Sequence, residues 1–212
     1  MKPLSREAVA QRLARDLPHG AVVNLGIGMP GLVAKYVGKE QEVILQSENG
    51  ILHFEALAAD IEPDMDSIDA SKKPIAVLPG GAYIDVMTSF GLMRGGHLDI
   101  AVLGAFEVSA AGDLANWWTG QPDDVPGIGG AMDLACGAKS IWAIMEHTAK
   151  DGRPKIVERC AYPLTAPRVI SRVFTDLAVL DITPQGIRVV EKIDGLGNEE
   201  LQSRTGAKLL FG

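Results

Sequence analysis

The sequence predicts an α/β protein built on one open, mostly parallel sheet with helices on both faces and some antiparallel strands. Three observations carry that prediction. Apolar runs of strand length recur along the 212 residues. Most of them are continuously apolar rather than alternating, as strands buried on both faces are. Gly-rich turns and stretches of helical spacing separate them. No linker, repeat or low-complexity segment interrupts the chain, so residues 1–212 are read as a single domain.

The first element is a helix in "MKPLSREAVAQRLARDL". Ser5 is placed to cap it, and Val9, Leu13 and Leu17 recur on one face. Charges break this stretch every few residues, which sets it apart from a signal peptide, and "PHG" stops it. Strands are expected at "AVVNLGI", "EVILQS", "PIAVLP", "LDIAVLGA", "SIWAIM", "PKIVERC" and "DLAVLDI". Helices are expected at "GLVAKYVG", "DVMTSFGLMRG", "GAMDLACGA" and "NEELQSRTG". Pro184-Gln185-Gly186 marks a hairpin.

Composition narrows the function. With 47% hydrophobic and 22% charged residues the chain has the make-up of a globular protein with a sizeable core. Its net charge of −7, without any Lys/Arg cluster, argues against nucleic acid as a partner. No apolar run approaches the roughly 20 residues that span a bilayer. Two cysteines, Cys136 and Cys160, without a CxxC or a His at ligand spacing, predict neither a disulfide scaffold nor a metal site. The expected location is the cytoplasm, with both thiols reduced and in the core.

Glycines cluster at the ends of the expected strands, in "NLGIGMPG", "LPGGAY", "RGGH", "VLGA" and "PGIGGAMD". In open α/β sheets ligands bind beyond the carboxyl ends of strands, and glycine lets backbone N–H groups approach them. "GIGMPG" (Gly26, Gly28, Gly31) also fits the dinucleotide fingerprint literally, with Glu48 in the place of the ribose-binding acid. A dinucleotide-binding module is therefore one reading. The other makes Glu48, held out by an Asn49-Gly50 turn in "LQSENGIL", a nucleophile. Partial desolvation activates a carboxylate toward a thioester, and the Gly loops would supply N–H donors to the developing oxyanion. A solvated strand-end acid without chemistry is the plain alternative.

The run of "NLGIGMP", "SENG", "LPGGAYID", "RGGHLDIAVLGAFEVSAAGDLANW", "GIGGAMDL", "EHTAKDG" and "FTDLAVLDITPQG" resembles the B subunit of the 3-oxoacid (succinyl-CoA:3-ketoacid) coenzyme A transferases, from about Ala8 to about Gly206. "DLANWWTGQPDD" and "TDLAVLDITPQG" are most similar to the 3-oxoadipate branch. The resemblance implies that Glu48 forms a mixed anhydride and then a glutamyl-CoA thioester, with ping-pong kinetics. Coenzyme A is then a substrate, and no cofactor or metal is needed. It implies acetoacetate or another short acid as the alternative acceptor. It also implies that Asn24 and Gly129 line the reacting carbonyl and that Lys72 contacts coenzyme A; Gly26, Gly28 and Gly130 of the Gly loops, with Asn49, are the further oxyanion and substrate-binding candidates. A partner, the family's A subunit, is implied, in a heterotetramer of two A and two B chains. Two segments depart from the family pattern, "ILHFEALAADIEPDMDS" and "IDVMTSFGLMRGG", and both are expected to border the acyl pocket.

Other polar residues read more plainly. His53 is expected to pack or bond locally, since carboxylate attack on a thioester removes no proton. His97 is read as a turn residue, and His147 as solvent-facing. Arg94 is expected to anchor a loop, and Asp85, Asp99 and Asp113 to belong to turns. Trp117 and Trp118 form either a core pair or an interface patch.

Overall fold

The structure, a computed structural model, describes residues 2–121 and 123–212. Helix α1 (Arg6–Asp16) comes first. The Ser5 hydroxyl accepts a hydrogen bond from the Ala8 N–H, while Glu7 in the first turn and Arg15 in the last offset the helix dipole. Val9, Ala10, Leu13 and Ala14 form its buried stripe, as the spacing predicts. Strands β1 (Val22–Leu25), β2 (Ile44–Ser47), β3 (Ile51–Ala56) and β4 (Ile75–Tyr83) follow, with 3₁₀ turns at Pro30–Lys35 and Lys39–Gln41. Next come α2 (Val86–Arg94), β5 (Ile100–Gly104), the short β6 (Glu107–Ser109) and β7 (Leu114–Ala115), then α3 (Ala131–Gly137) and β8 (Ser140–Met145). After them lie β9 (Ile156–Val157), β10 (Ile170–Thr175), β11 (Ala178–Thr183), β12 (Gly186–Lys192), α4 (Asn198–Ser203) and β13 (Leu209–Leu210).

Among the described residues, ten strands form one sheet in the order β13-β12-β11-β10-β8-β5-β1-β2-β3-β4. The block from β10 to β2 is parallel throughout. Antiparallel strands widen both flanks, with β3 and β4 beyond β2 and the hairpin β11–β12 beyond β10. That hairpin turns through Pro184-Gln185, pairing Thr183 with Gly186 as the sequence predicts.

Successive residues of the central strands enter opposite cores, which is why their sequences read as unbroken apolar runs. Ile100, Val102, Trp142 and Ile144 join α1 and the first 3₁₀ turn on one face. Ala101, Leu103, Ile141, Ala143 and Met145 join α2, α3 and α4 on the other. Each fully buried Leu, Ile or Val contributes about 1.5–3 kcal/mol. The sheet thus closes itself off on both faces and leaves its strand ends for chemistry.

Several expectations need correcting. "GLVAKYVG" forms a 3₁₀ turn starting at Pro30 rather than an α-helix, with no side chain capping it. "PKIVERC" yields only Ile156–Val157, and that strand lies in a separate three-stranded sheet of order β7-β6-β9. "ILHFEA" is a strand, β3, bulged at His53 (φ 56°). His147 is fully buried rather than solvent-facing, with each ring nitrogen 2.9 Å from a threonine hydroxyl, that of Thr175 or of Thr205. Cys136 is exposed rather than in the core, while burial pushes the half-buried Cys160 thiol up to about 12. Trp117 and Trp118 pair with ring centroids 5.8 Å apart.

Candidate active site

β2 begins with apolar Ile44 and Leu45 and ends with two buried polar residues, Gln46 and Ser47. Past Ser47 the chain reverses. The Gly50 N–H donates to the Ser47 carbonyl (2.9 Å), and Gly50 takes φ 107°, where a Cβ would overlap the Ile84 carbonyl oxygen. Only glycine fits that position. The turn sends the chain back along β3 and leaves Glu48 at its tip, beyond the carboxyl end of the parallel block.

The backbone around Glu48 is tied from several sides. Asn24 Nδ2 on β1 donates to Gln46 Oε1 (2.5 Å), and Gln46 Nε2 donates to Ser89 Oγ (2.9 Å). The Ser89 hydroxyl in turn donates to the Glu48 carbonyl (2.8 Å). The Ala70 N–H donates to Ser47 Oγ (2.9 Å), and Asn49 Nδ2 to the Ile68 carbonyl (2.7 Å). These bonds join two strands, a helix and the loop ahead of β4, so the turn is fixed by its surroundings as well as by its own residues.

The Glu48 carboxylate is treated differently. Among the described residues no donor reaches it, and it packs instead against Gly130, where a Cβ would overlap Oε2 and lie 3.4 Å from Phe90 Cζ. Burial first, and the charge of Asp133 second, raise its pKa above the usual glutamate range. Asp133 is itself held by Arg94 Nε (2.6 Å), which makes Arg94 a clamp between α2 and α3.

Glu48 opens into a cavity of about 410 Å³ running along the carboxyl ends of β2, β1, β5 and β8. Gly26, Gly129 and Gly130 line it. The Gly26 N–H already donates to the Val102 carbonyl (2.9 Å), and a Cβ there would crowd that oxygen at 3.1 Å. Gly26 therefore serves close packing of strand ends, while the N–H groups of Gly129 and Gly130 have no acceptor among the described residues. Gly28 (φ 88°) has open space around it and is not among the lining residues.

Three other candidates lie off the cavity wall. Asn24 is buried and faces Gln46, so it acts from beneath the turn. Asn49 points to the loop at Ile68. Lys72 is exposed in a tight turn (φ 62°) and does not line the cavity. Neither departing segment lines it either. His53–Ala59 borders a different groove with Lys35 and Val37, because β3 runs away from the turn, and the second segment holds the Glu48 carbonyl through Ser89 and sets Phe90 beside Gly130. Sequence reading missed Gln46 and Ser89, although polar residues closing an apolar run are a visible signal. It also missed Glu146 and Lys155, which line the cavity too. Nor does "GIGMPG" lead into an α-helix whose N-terminus would hold a pyrophosphate.

The family model for coenzyme A transferase matches residues 6–194. The chain is 52% identical over 209 residues to the B subunit of 3-oxoadipate CoA-transferase from Pseudomonas putida, covering 99% of this chain and 98% of that one. It is 42% identical over 203 residues to the B subunit of succinyl-CoA:3-ketoacid coenzyme A transferase from Helicobacter pylori, covering 96% and 97%. The crystal structure of an acyl-CoA transferase apoenzyme from Escherichia coli O157:H7 superposes with a TM-score of 0.76 at 21% identity. It takes in the whole of this chain and 42% of that one, and shows the same fold.

Proposed function

The chain belongs to the coenzyme A transferase family, and we propose that it is the catalytic B subunit of an enzyme moving coenzyme A from succinyl-CoA to a 3-oxoacid, 3-oxoadipate being favoured. One observation carries the reading: Glu48 is a half-buried carboxylate lining the cavity that no donor reaches among the described residues, while its own carbonyl and the adjoining Ser47 hydroxyl are both hydrogen-bonded. A nucleophile needs open lone pairs and a fixed position, and this one has both.

In the proposed sequence a Glu48 oxygen attacks the acyl-CoA carbonyl, the C–S bond breaks, and an anhydride forms as CoA thiolate leaves. The thiolate attacks the Glu48 carbonyl, giving the glutamyl thioester and releasing the first acid as its carboxylate. The acceptor carboxylate then attacks that thioester, again expelling thiolate, which takes the new acyl group and restores Glu48. Charge and atoms balance without any proton transfer, so no base is required beside Glu48. In this reading the N–H groups of Gly129 and Gly130, which have no acceptor among the described residues, receive each oxyanion; Gly130 lying against the Glu48 carboxylate supports that role, and one such donor is typically worth ~10²–10³ in rate.

The relatives named above are B subunits, which supports a partner of the A type, here proposed in a heterotetramer of two A and two B chains. Cytoplasmic work in aromatic catabolism follows from the 3-oxoadipate reading. Acetoacetate or another short acid is the alternative acceptor. The test is direct: incubate the assembled enzyme with succinyl-CoA and no acceptor, then measure peptide masses. Coenzyme A bound at residue 48 is expected; an active preparation without that adduct would overturn the covalent route.

A further inference from the structure

Lys155 lines the Glu48 cavity from the β8 side, three strands across the sheet from β2. Its N–H donates to the His147 carbonyl (3.1 Å) and its carbonyl accepts from the Val108 N–H (3.0 Å), so its backbone is held on two sides. Its side chain is only 16% exposed. An ammonium carries three donors. Among the described residues Lys155 Nζ makes no hydrogen bond, and its one ion pair, to Glu146 Oε2, is 3.9 Å long. Glu146 is occupied elsewhere, because its other oxygen accepts from Arg6 Nε at 2.9 Å. Burial pushes the Lys155 ammonium below the usual lysine range, against the pull of Glu146 and Asp176. A desolvated ammonium with unused donors is costly to keep unless an anion completes it.

We propose that Lys155 binds the distal carboxylate of a dicarboxylic acyl group whose other end reacts at Glu48. This rests on the Glu48 reading above, in which both succinate and 3-oxoadipate carry a second carboxylate. The sheet supports the distance. Lys155, just ahead of β9 in the small sheet, is tied through its N–H to the His147 carbonyl two residues past β8, and β8 and β2 lie three strand spacings apart, on the order of 14 Å. Both residues line the cavity, and a short diacid between their side chains fits that span. The phosphates of coenzyme A hang at the end of the long pantetheine arm, too far from the thioester to fall within that span. The small residues Gly104 and Ala105 also line the cavity, and space for a chain stays open over Gly104.

The assignment is tested on the assembled enzyme with Lys155→Met, which keeps the apolar stem, and with Lys155→Arg, which keeps the charge. Calorimetry with glutarate and with butyrate reads binding alone, and kcat/KM for dicarboxylic and monocarboxylic acceptors reads turnover. In Lys155→Met the preference for the diacid over the monoacid is expected to fall about 10- to 100-fold in both measurements, as loss of a charge-assisted hydrogen bond dictates. Lys155→Arg should restore part of it. Equal losses for both acids would place Lys155 in coenzyme A binding or packing and overturn the proposal, as would an unchanged preference. Should Lys155→Met fail to assemble, Lys155→Gln carries the same measurement. A lost glutarate preference in an enzyme that forms no adduct at residue 48 would keep the Lys155 site and reject the covalent route, so the two failures are distinct.

Discussion

Glu48 and His147 occupy matching places and are treated in opposite ways. Each stands just past the carboxyl end of a parallel strand, Glu48 after β2 and His147 after β8. At His147 the protein satisfies the side chain, since both ring nitrogens meet threonine hydroxyls at 2.9 Å and the residue is fully buried. At Glu48 it satisfies the backbone and leaves the side chain open. Position at a strand end therefore makes neither group a reagent. Chemistry becomes available where the scaffold fixes the main chain and withholds partners from the polar head.

The sharpest way to break this contrast is to remove the open carboxylate. Glu48→Gln keeps shape and packing but presents an amide, and turnover by the assembled enzyme is expected to fall by ~10⁴-fold or more, the scale seen when a covalent nucleophile is removed. Steady-state rates and thermal melting check it together. A variant that melts normally and still turns over at the wild-type rate would make Glu48 as silent as His147.

The second prediction concerns the saturated site. Burial, with a lesser contribution from Arg204, lowers the His147 pKa from 6.5 to about 4. The folded state therefore holds the imidazole neutral where the unfolded chain protonates it. Its contribution is fully present above pH 6.5 and is lost as pH falls toward 4, a loss of about 3 kcal/mol. Denaturant midpoints measured between pH 7 and 4 should show that slope, and His147→Gln should flatten it. A slope that the variant keeps would assign acid sensitivity to other groups.

The third prediction tests how much room the open carboxylate needs. Gly130→Ala adds one methyl group that meets Glu48 Oε2, at a backbone (φ −83°, ψ 7°) any residue adopts. The effect is therefore steric and not strain. Displacing the carboxylate by on the order of 1 Å is expected to cost about 10² in kcat with little change in melting temperature. Normal turnover would mean that Glu48 swings to another position to react.

Much of this was readable from the chain. Continuous apolar runs marked β1, β2, β5 and β8 because strands buried on both faces leave no polar alternation. The Asn49-Gly50 turn marked where Glu48 is presented, and the Gly pair at 129–130 marked part of the cavity wall. β10 escaped notice because Ser171 and Arg172 interrupt it, and Arg172 is made tolerable there by Asp16 and Asp181 from distant elements. β7, two residues long, is too short to show any period, and β9 was read too long because Pro154 to Cys160 carry an apolar pair inside a loop. Lys155 was invisible as a site residue because only its pairing with His147 past β8, and the order β8-β5-β1-β2, bring it to the cavity that Glu48 lines. Local signals reveal turns and faces; the meeting of two distant strand ends is a property of topology.

The smallest effect concerns tuning. Asp133 lies close enough to Glu48 to raise its pKa, and Arg94 offsets part of that charge through its 2.6 Å contact. Attack requires the ionised carboxylate, so kcat/KM must fall as pH drops through the Glu48 pKa, and the raised value places that fall higher than an ordinary glutamate would. Asp133→Asn removes the negative charge and leaves Arg94 uncompensated, and both changes favour the ionised form. The acid limb of kcat/KM should then move to lower pH while the plateau changes little. Burial, the larger cause, remains in the variant, so the limb should stop short of the value for a free glutamate. An acid limb that stays in place would show that its pKa belongs to another group, and that the open state of Glu48 is set by the turn and Gly130 alone.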